Sequence, residues 1–420
     1  MSRRWSIFAI TSAHFFLSQF YRTSNAVIAP QLLQDLSLDT EALGLMSASF
    51  FYAFALTQIP LSVLLDKVGA RRMMTVLSLV GIFGALVFSW ADSFSMGVIG
   101  RILLGIGMAC NLMGTLKLLT DWFAPMTFAT LSGLVFSIGT LGNMVATTPL
   151  VLLTKHFGWR HSFCLIAGVN LLLTLMLYII VRDEPQNKLF GLISARPILS
   201  FKEAVGNMML LLQKRDYWII SLATFVRYGI FAAFQALWAG PYLMEVMGYS
   251  AVLTGNMIFL LNLGLIIGGP FWGAISDRVW RTRKWINVFG LFSLGAITYA
   301  LITIPAGAGL AVVIFLFFCF GLFGAAGILM YPHIKDLMPH KMAGAAMTGI
   351  NFFTMMGPAV FLQAMASLMQ SLYPNASRGP EAFNAALWLC VICLFGMTIL
   401  YFFTKEKGLK SNSEKRESAR

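Results

Sequence analysis

The sequence predicts an all-α membrane protein of twelve transmembrane helices, built as two six-helix halves. Three observations predict it. Of the 420 residues, 58% are hydrophobic and only 11% charged, where a soluble domain carries about 25% charged residues. Apolar runs of bilayer-crossing length, about 20 residues each, recur along the whole chain. Basic residues collect between alternate runs. No soluble fold hides this much apolar surface, because polar side chains must cover its outside. A soluble enzyme, a disordered chain, a disulfide scaffold and a nucleic-acid-binding domain are therefore excluded.

The runs fall near 7–31, 41–65, 72–90, 95–119, 127–154, 160–181, 217–244, 252–275, 284–304, 308–331, 341–369 and 380–404. Lipid permits helices where it forbids open sheets. The start, Met1 to Arg4, leads into the first run with no small-residue cleavage site, and reads as a retained span. With both termini on the inner side, 23 of the 30 basic residues lie in inner segments. Only Lys155, Arg160 and Arg378 lie in outer loops. The positive-inside rule then sets the orientation: a multi-pass protein of a bacterial inner membrane with both termini cytoplasmic. The same distribution accounts for the net charge of +13 without nucleic acid as a partner. The five cysteines all lie in apolar runs without metal-ligand spacing and read as small core residues.

The expected organisation is a first half over 1–181, a cytoplasmic linker over 182–216, a second half over 217–404 and a cytoplasmic tail over 405–420. Phe201–Leu212 in the linker has the pattern of an amphipathic surface helix. The halves repeat at an offset of 211: Pro30 with Pro241, Gly44 with Gly255, Met46 with Met257, and Asp66 with Asp277. Internal repeats of this kind place a substrate site between the halves near the midplane.

Four basic residues lie inside predicted spans: Arg22, Arg101, Lys117 and Arg227. The 17 acidic residues fall at span ends, in loops or in tails. A charge at the membrane centre costs about 2.5 kcal/mol or more, so each of these cations needs a partner or a polar cavity. Arginines without carboxylates call for an anion, since the guanidinium fork grips carboxylate or phosphate in bidentate fashion. Tyr21, Tyr228, Asn143, Gln235 and Trp238 lie in the same spans as these arginines or in a neighbouring one, and join Arg22, Arg227 and Arg101 as substrate-site candidates. For each, interhelical bonding is the alternative. His14, eight residues before Arg22, belongs to the residue type that titrates near neutrality. It is the candidate proton site, with a packed neutral histidine as the alternative. Lys117 fits a conformational or anchoring role.

The loop after the second span reads Ser62-Val-Leu-Leu-Asp66-Lys67-Val-Gly69-Ala-Arg71-Arg72, and the loop after the eighth reads Gly273-Ala-Ile-Ser-Asp277-Arg278-Val-Trp280-Arg281-Thr-Arg283-Lys284. Together with twelve spans, both resemble the G-x-x-x-D-[RK]-x-G-x-[RK]-[RK] signature of the major facilitator superfamily. Arg101 to Gly107 resembles its R-x-x-x-G-x-G motif, and Asp121 to Pro125 its W-F-P loop. Phe157 to Arg160 resembles its outer loop before the sixth span. The first signature copy has Ser62 for the first glycine, and the second has Trp280 for the inner one with one residue added. The glycine-rich antiporter motif of the fifth span is not reproduced. The resemblance implies a secondary transporter that works by alternating access. Asp66, Lys67, Arg71, Arg72, Asp277 and Arg278 would then act in gating.

Arg22 with Pro30 eight residues on is similar to the first span of organophosphate:phosphate antiporters and of anion:cation symporters. Arg227-Tyr228-Gly229 is similar to the seventh-span site of the antiporters. These resemblances imply that Arg22 touches the anion. Arg227 precedes Pro241 by 14 residues, which sets it deeper than Arg22. The expected cargo is a small carboxylate or phosphate ester. Carriage of zwitterionic amino acids or short peptides, a non-transporting sensor and an exporter of hydrophobic compounds remain the alternatives. No Walker motif, metal-ligand cluster or catalytic triad stands in the sequence, so no cofactor and no enzymatic activity are expected. The expected partners are the anion and the bilayer, with the chain working as a monomer.

Overall fold

A computed structural model describes residues 3–123, 127–183, 210–305, 307–338 and 343–406; the side chains of residues 62, 63, 66, 128, 129, 343–345 and 348 lie outside the description. Among the described residues every regular element is helical. We number the twelve spans α1 to α12. The first half holds α1 (Arg3–Thr23 and Asn25–Asp35), α2 (Thr40–Val68), α3 (Ala70–Ser89) and α4 (Phe94–Met108 and Asn111–Trp122). It is completed by α5 (Phe128–Val145, continued over 148–157) and α6 (159–180). The second half holds α7 (Arg215–Val246), α8 (Ala251–Val279), α9 (Lys284–Thr303), α10 (Leu310–Leu337), α11 (Ala343–Leu372) and α12 (Pro380–Tyr401). Among the described residues, ten helices are long and apolar enough to cross a bilayer. The charged α1, and α5 with its apolar stretch Thr130–Val145, complete the twelve.

Several boundaries differ from the sequence expectation. The helix Thr148–Ile180 is two rods joined at Gly158, whose φ of 71° and ψ of 163° lie outside the helical region. Only glycine adopts that backbone without a Cβ penalty, so the turn between α5 and α6 sits there and α5 reaches residue 157. The helix of α4 extends to Trp122, so Asp121 is helical, one turn beyond Lys117. The α7 helix begins at Arg215, inside the expected linker, and α10 runs on to Leu337. Most of the amphipathic stretch Phe201–Leu212 and the tail beyond Glu406 lie outside the described residues.

Both α1 and α4 break near their middles, at Ser24 and at Ala109–Cys110. A break in lipid frees carbonyls that must find donors. Side chains of neighbouring spans supply them. Ser18 donates to the Met108 carbonyl at 3.3 Å and Gln58 to the Ala109 carbonyl at 2.8 Å, and Arg101 does the same for Tyr21 at 2.9 Å.

With twelve spans, the first and last described residues, Arg3 and Glu406, lie at one end of the bundle, the basic end. The halves meet across a seam formed by α1, α2, α5, α7, α8 and α11. Near the opposite end the seam is tight: the Thr40 and Ser377 hydroxyls lie 2.7 Å apart, Ser367 donates to Glu41 at 2.9 Å, and Thr148 donates to Asn256 at 2.7 Å. Tyr52 donates to Gln363 at 3.0 Å further in. Small residues permit this approach. A methyl group on Gly44 would collide with Ala366, and one on Gly240 with the Ala26 carbonyl. Among the described residues, no hydrogen bond across the seam lies nearer the basic end than those of Arg22.

Candidate functional site

Arg22 sits on the last turn before the α1 break and reaches across the seam. Its Nη1 donates to the Tyr228 hydroxyl at 2.9 Å, and its Nη2 lies 3.8 Å from the Met355 sulfur. The guanidinium carbon stands 5.0 Å from the Phe54 ring centre and 5.8 Å from that of Phe51. The side chain is 4% exposed, and its Nε has no hydrogen-bond partner. A phenol oxygen, a thioether and two aromatic faces are weak partners for a buried cation. Charge-assisted bonds to an anion are roughly twice as strong as neutral ones, so this shell is suited to exchange for a ligand.

Arg227 lies beside Tyr228, with its guanidinium carbon 5.5 Å from that ring centre. It reaches into α10, where Nη1 donates to the Gly324 carbonyl. At Gly327 any Cβ would overlap the guanidinium, so that glycine makes the room. Helix α10 tightens to a 3-10 turn over Ala325–Leu329, which frees a carbonyl for the arginine. Beside it, Tyr331 donates to Asn351 at 2.9 Å and lies 3.0 Å from the Thr354 hydroxyl.

The remaining candidates are spread through the bundle. Arg101 is fully buried inside the first half. It donates to the Tyr21 carbonyl at 2.9 Å, at the α1 break, and lies over Phe50 and Phe88. This geometry gives it a structural bond and no approach to the seam. Tyr21 neighbours Arg22 in sequence but lies about 100° around the helix, and its ring packs on Phe163 of α6. Asn143 accepts from Thr23 at 3.4 Å, and Gln235 donates to Asn262 at 2.7 Å; both are interhelical bonds. Trp238 is fully buried in a π-helical turn, edge-on to Phe383 and beside Gly44 across the seam. It covers the side of the site facing the tight end. His14 is fully buried, with Nδ1 2.9 Å from the Ile10 carbonyl and Nε2 3.4 Å from the Thr174 hydroxyl of α6. That places it in the first half's core. Lys117 donates to the Leu65 carbonyl at 2.9 Å.

The structure thus gathers Arg22 and Tyr228 with Phe51, Phe54 and Met355, which the sequence reading did not name. The charge of Arg22 and the repeat pointed to the seam. The aromatic and methionine wall carried no signal, because apolar residues are the background of every span.

At the basic end, the two signature loops dock on different spans of their halves, the first on the end of α6 and the second on α10. In the first, Gly69 takes a φ of 90° and the Asp183 carboxylate accepts from the Arg71 amide at 2.8 Å. Arg71 also donates to the Tyr178 carbonyl, at 2.6 Å through Nη2. In the second, the left-handed turn falls on Arg281, with a φ of 51°, and not on Trp280. The residue two further on, Arg283, matches Arg71. It pairs with Asp336 at 2.6 Å and stands 3.7 Å from Asp277. Arg278, Lys67 and Arg72 are exposed, so Arg283 is the residue that ties Asp277 to α10. The Asp66 side chain lies outside the described residues.

Among the described residues, no group of three histidine, cysteine or acidic side chains is placed to hold a metal. No carboxylate among them lies within ion-pair distance of Arg22, Arg101 or Arg227.

Comparison with known proteins agrees with this architecture. The chain is 23% identical over 286 residues to a probable sulfoacetate transporter of Cupriavidus necator, a match spanning 66% of each chain. It is 25% identical over 358 residues to a hexuronate transporter of Bacillus subtilis, covering 81% of this chain and 82% of that one. Among solved structures, a D-xylose–proton symporter superposes with a TM-score of 0.76 at 13% identity, covering 96% of this chain and 98% of that one. An inward-facing, unoccupied bacterial homologue of the human lysosomal transporter Spinster superposes with a TM-score of 0.75 at 17% identity, covering 96% and 97%. The Major Facilitator Superfamily profile matches residues 11–362, and the chain belongs to that superfamily.

Proposed function

We propose that this chain is a secondary active transporter that carries a small organic anion, a carboxylate or a phosphate ester, between the two sides of the membrane by alternating access. One observation carries the reading: Arg22 is buried at the seam between the halves, is held there by neutral partners, and contributes from one half while Tyr228 and Met355 contribute from the other. An anion bound at Arg22 touches both halves, so its binding is coupled to their relative motion. Sulfoacetate and hexuronate, the substrates named for two relatives, are both small carboxylates, which favours the carboxylate class. A zwitterion would need a carboxylate for its ammonium group, and none of the described ones lies by Arg22.

The basic end is assigned to the cytoplasm, with the linker near 182–214 and the tail from 405 on that side, in a bacterial inner membrane. The tight seam at the opposite end then makes this conformation the inward-facing one. A single chain contains the whole site and works as a monomer.

Ligand binding to purified protein tests the reading, because an anion that binds the native state raises the melting temperature by mass action. Carboxylates are expected to stabilise wild type and to lose that effect in Arg22→Ala. Equal stabilisation of both would remove Arg22 from the site and reopen the substrate class.

A further inference from the structure

We propose that the Arg22 site takes a short monocarboxylate with an apolar alkyl or aryl body in preference to a polyhydroxylated sugar acid. The inference rests on the anion reading above and concerns what surrounds the carboxylate. Arg22 is the one arginine of the three with a described hydrogen bond across the seam; Arg101 donates to the Tyr21 carbonyl and Arg227 to the Gly324 carbonyl, each within its own half, and each of these two keeps a buried Nε without a described partner. One guanidinium suits one carboxylate. A second carboxylate on the same ligand finds no second described cation bonded across the seam.

The wall around Arg22 decides the rest. Phe51 is 1% exposed and Phe54 5%, and both present ring faces toward the guanidinium. Met355 supplies a thioether from α11. Tyr228 offers the single hydroxyl in contact with Arg22. Several other polar groups near the seam are already bonded to one another: Tyr331 to Asn351 and Thr354, Thr354 to the Ile350 carbonyl at 2.8 Å, and Tyr52 to Gln363, which leaves the buried indole N–H of Trp238 as a donor without a described partner. A sugar acid carries a hydroxyl on nearly every carbon. Each one buried against Phe51, Phe54 or Met355 loses its water without gaining a partner. An alkyl or aryl body loses nothing there and buries apolar surface. The unpartnered Nε of Arg22, buried and free of any described acceptor, is the second donor that a bidentate carboxylate uses.

Calorimetric titration of the purified full chain with butyrate, benzoate, glucuronate and galactarate tests this. The expected result is butyrate and benzoate binding about tenfold or more tighter than glucuronate, with all binding lost in Arg22→Gln. Met355→Gln and Phe54→Tyr, two independent variants that add hydrogen-bonding groups to the wall, are expected to shrink that ratio. If glucuronate or galactarate binds tighter and still requires Arg22, this inference fails while the anion transporter reading stands. If no carboxylate binds, both fail. An unchanged ratio in both folded wall variants overturns the assignment of selectivity to Phe54 and Met355.

Discussion

Gly240 of α7 rests against the carbonyl oxygen of Ala26 in α1. Pro30, four residues further on, has no amide hydrogen to give that carbonyl. The bond missing from α1 is thus what the other half approaches, one residue before Pro241, the repeat partner of Pro30. Glycine at 240 is required by space, since any side chain would collide with the oxygen.

Gly240→Ala should therefore loosen the tight end of the seam and shift the population toward the state open on that side. The readout is disulfide trapping between Thr40→Cys and Ser377→Cys, whose native hydroxyls lie 2.7 Å apart. Cross-linking is expected to fall severalfold in the Gly240→Ala background. Undiminished cross-linking would show that the closure does not depend on this contact.

Much of the fold was legible because bilayer physics leaves little choice: long apolar runs with alternating basic loops fix the spans. The proposed site was legible only where a residue broke that background. Arg22 stood out as a charge in an apolar run, and Tyr228 through its place beside Arg227. Tyr21 misled, because adjacency in sequence is about 100° of rotation on a helix. Arg101 lies inside the first half, where a carbonyl at a helix break takes one of its donors. Phe51, Phe54 and Met355 were hidden, since their meaning depends on how the halves dock. The placement of the second loop's left-handed turn at Arg281 was hidden by the inserted residue, which moved the docking role to Arg283.

That shift separates two neighbouring arginines. Arg283→Ala should destabilise the protein by about 1.5–3 kcal/mol, the range for a hydrogen bond to a charged group, and should reduce flux more than binding. Arg278→Ala, at an exposed position, should stay within about 0.5 kcal/mol of wild type. Thermal melts with parallel uptake assays check both. Equal effects from the two variants would deny the Arg283–Asp336 pair any special role.

Coupling is the next test. His14 is enclosed by Ile10 and Thr174 within the first half, and no described carboxylate pairs with the three buried arginines. Exchange of one anion for another needs no titrating residue, and is the proposed mode. His14→Gln is expected to retain counterflow in proteoliposomes without a proton or sodium gradient. Uphill uptake driven by an imposed pH gradient in wild type, and lost in His14→Gln, would replace exchange with proton coupling through this histidine.

Orientation has its own check. A cysteine placed in the linker near residue 195 should react with a membrane-impermeant maleimide only after the cells are opened. Labelling from outside intact cells would reverse the assignment of the basic end.

The central claim is that one buried guanidinium at the seam carries the transported anion. The direct measurement is counterflow of radiolabelled butyrate or glucuronate in proteoliposomes of wild type, Arg22→Ala and Arg22→Lys. The account predicts flux in wild type, none above protein-free liposomes in Arg22→Ala, and poor recovery in Arg22→Lys, because a point charge lacks the two-pronged fork. Wild-type flux sustained by a folded Arg22→Ala protein would contradict it.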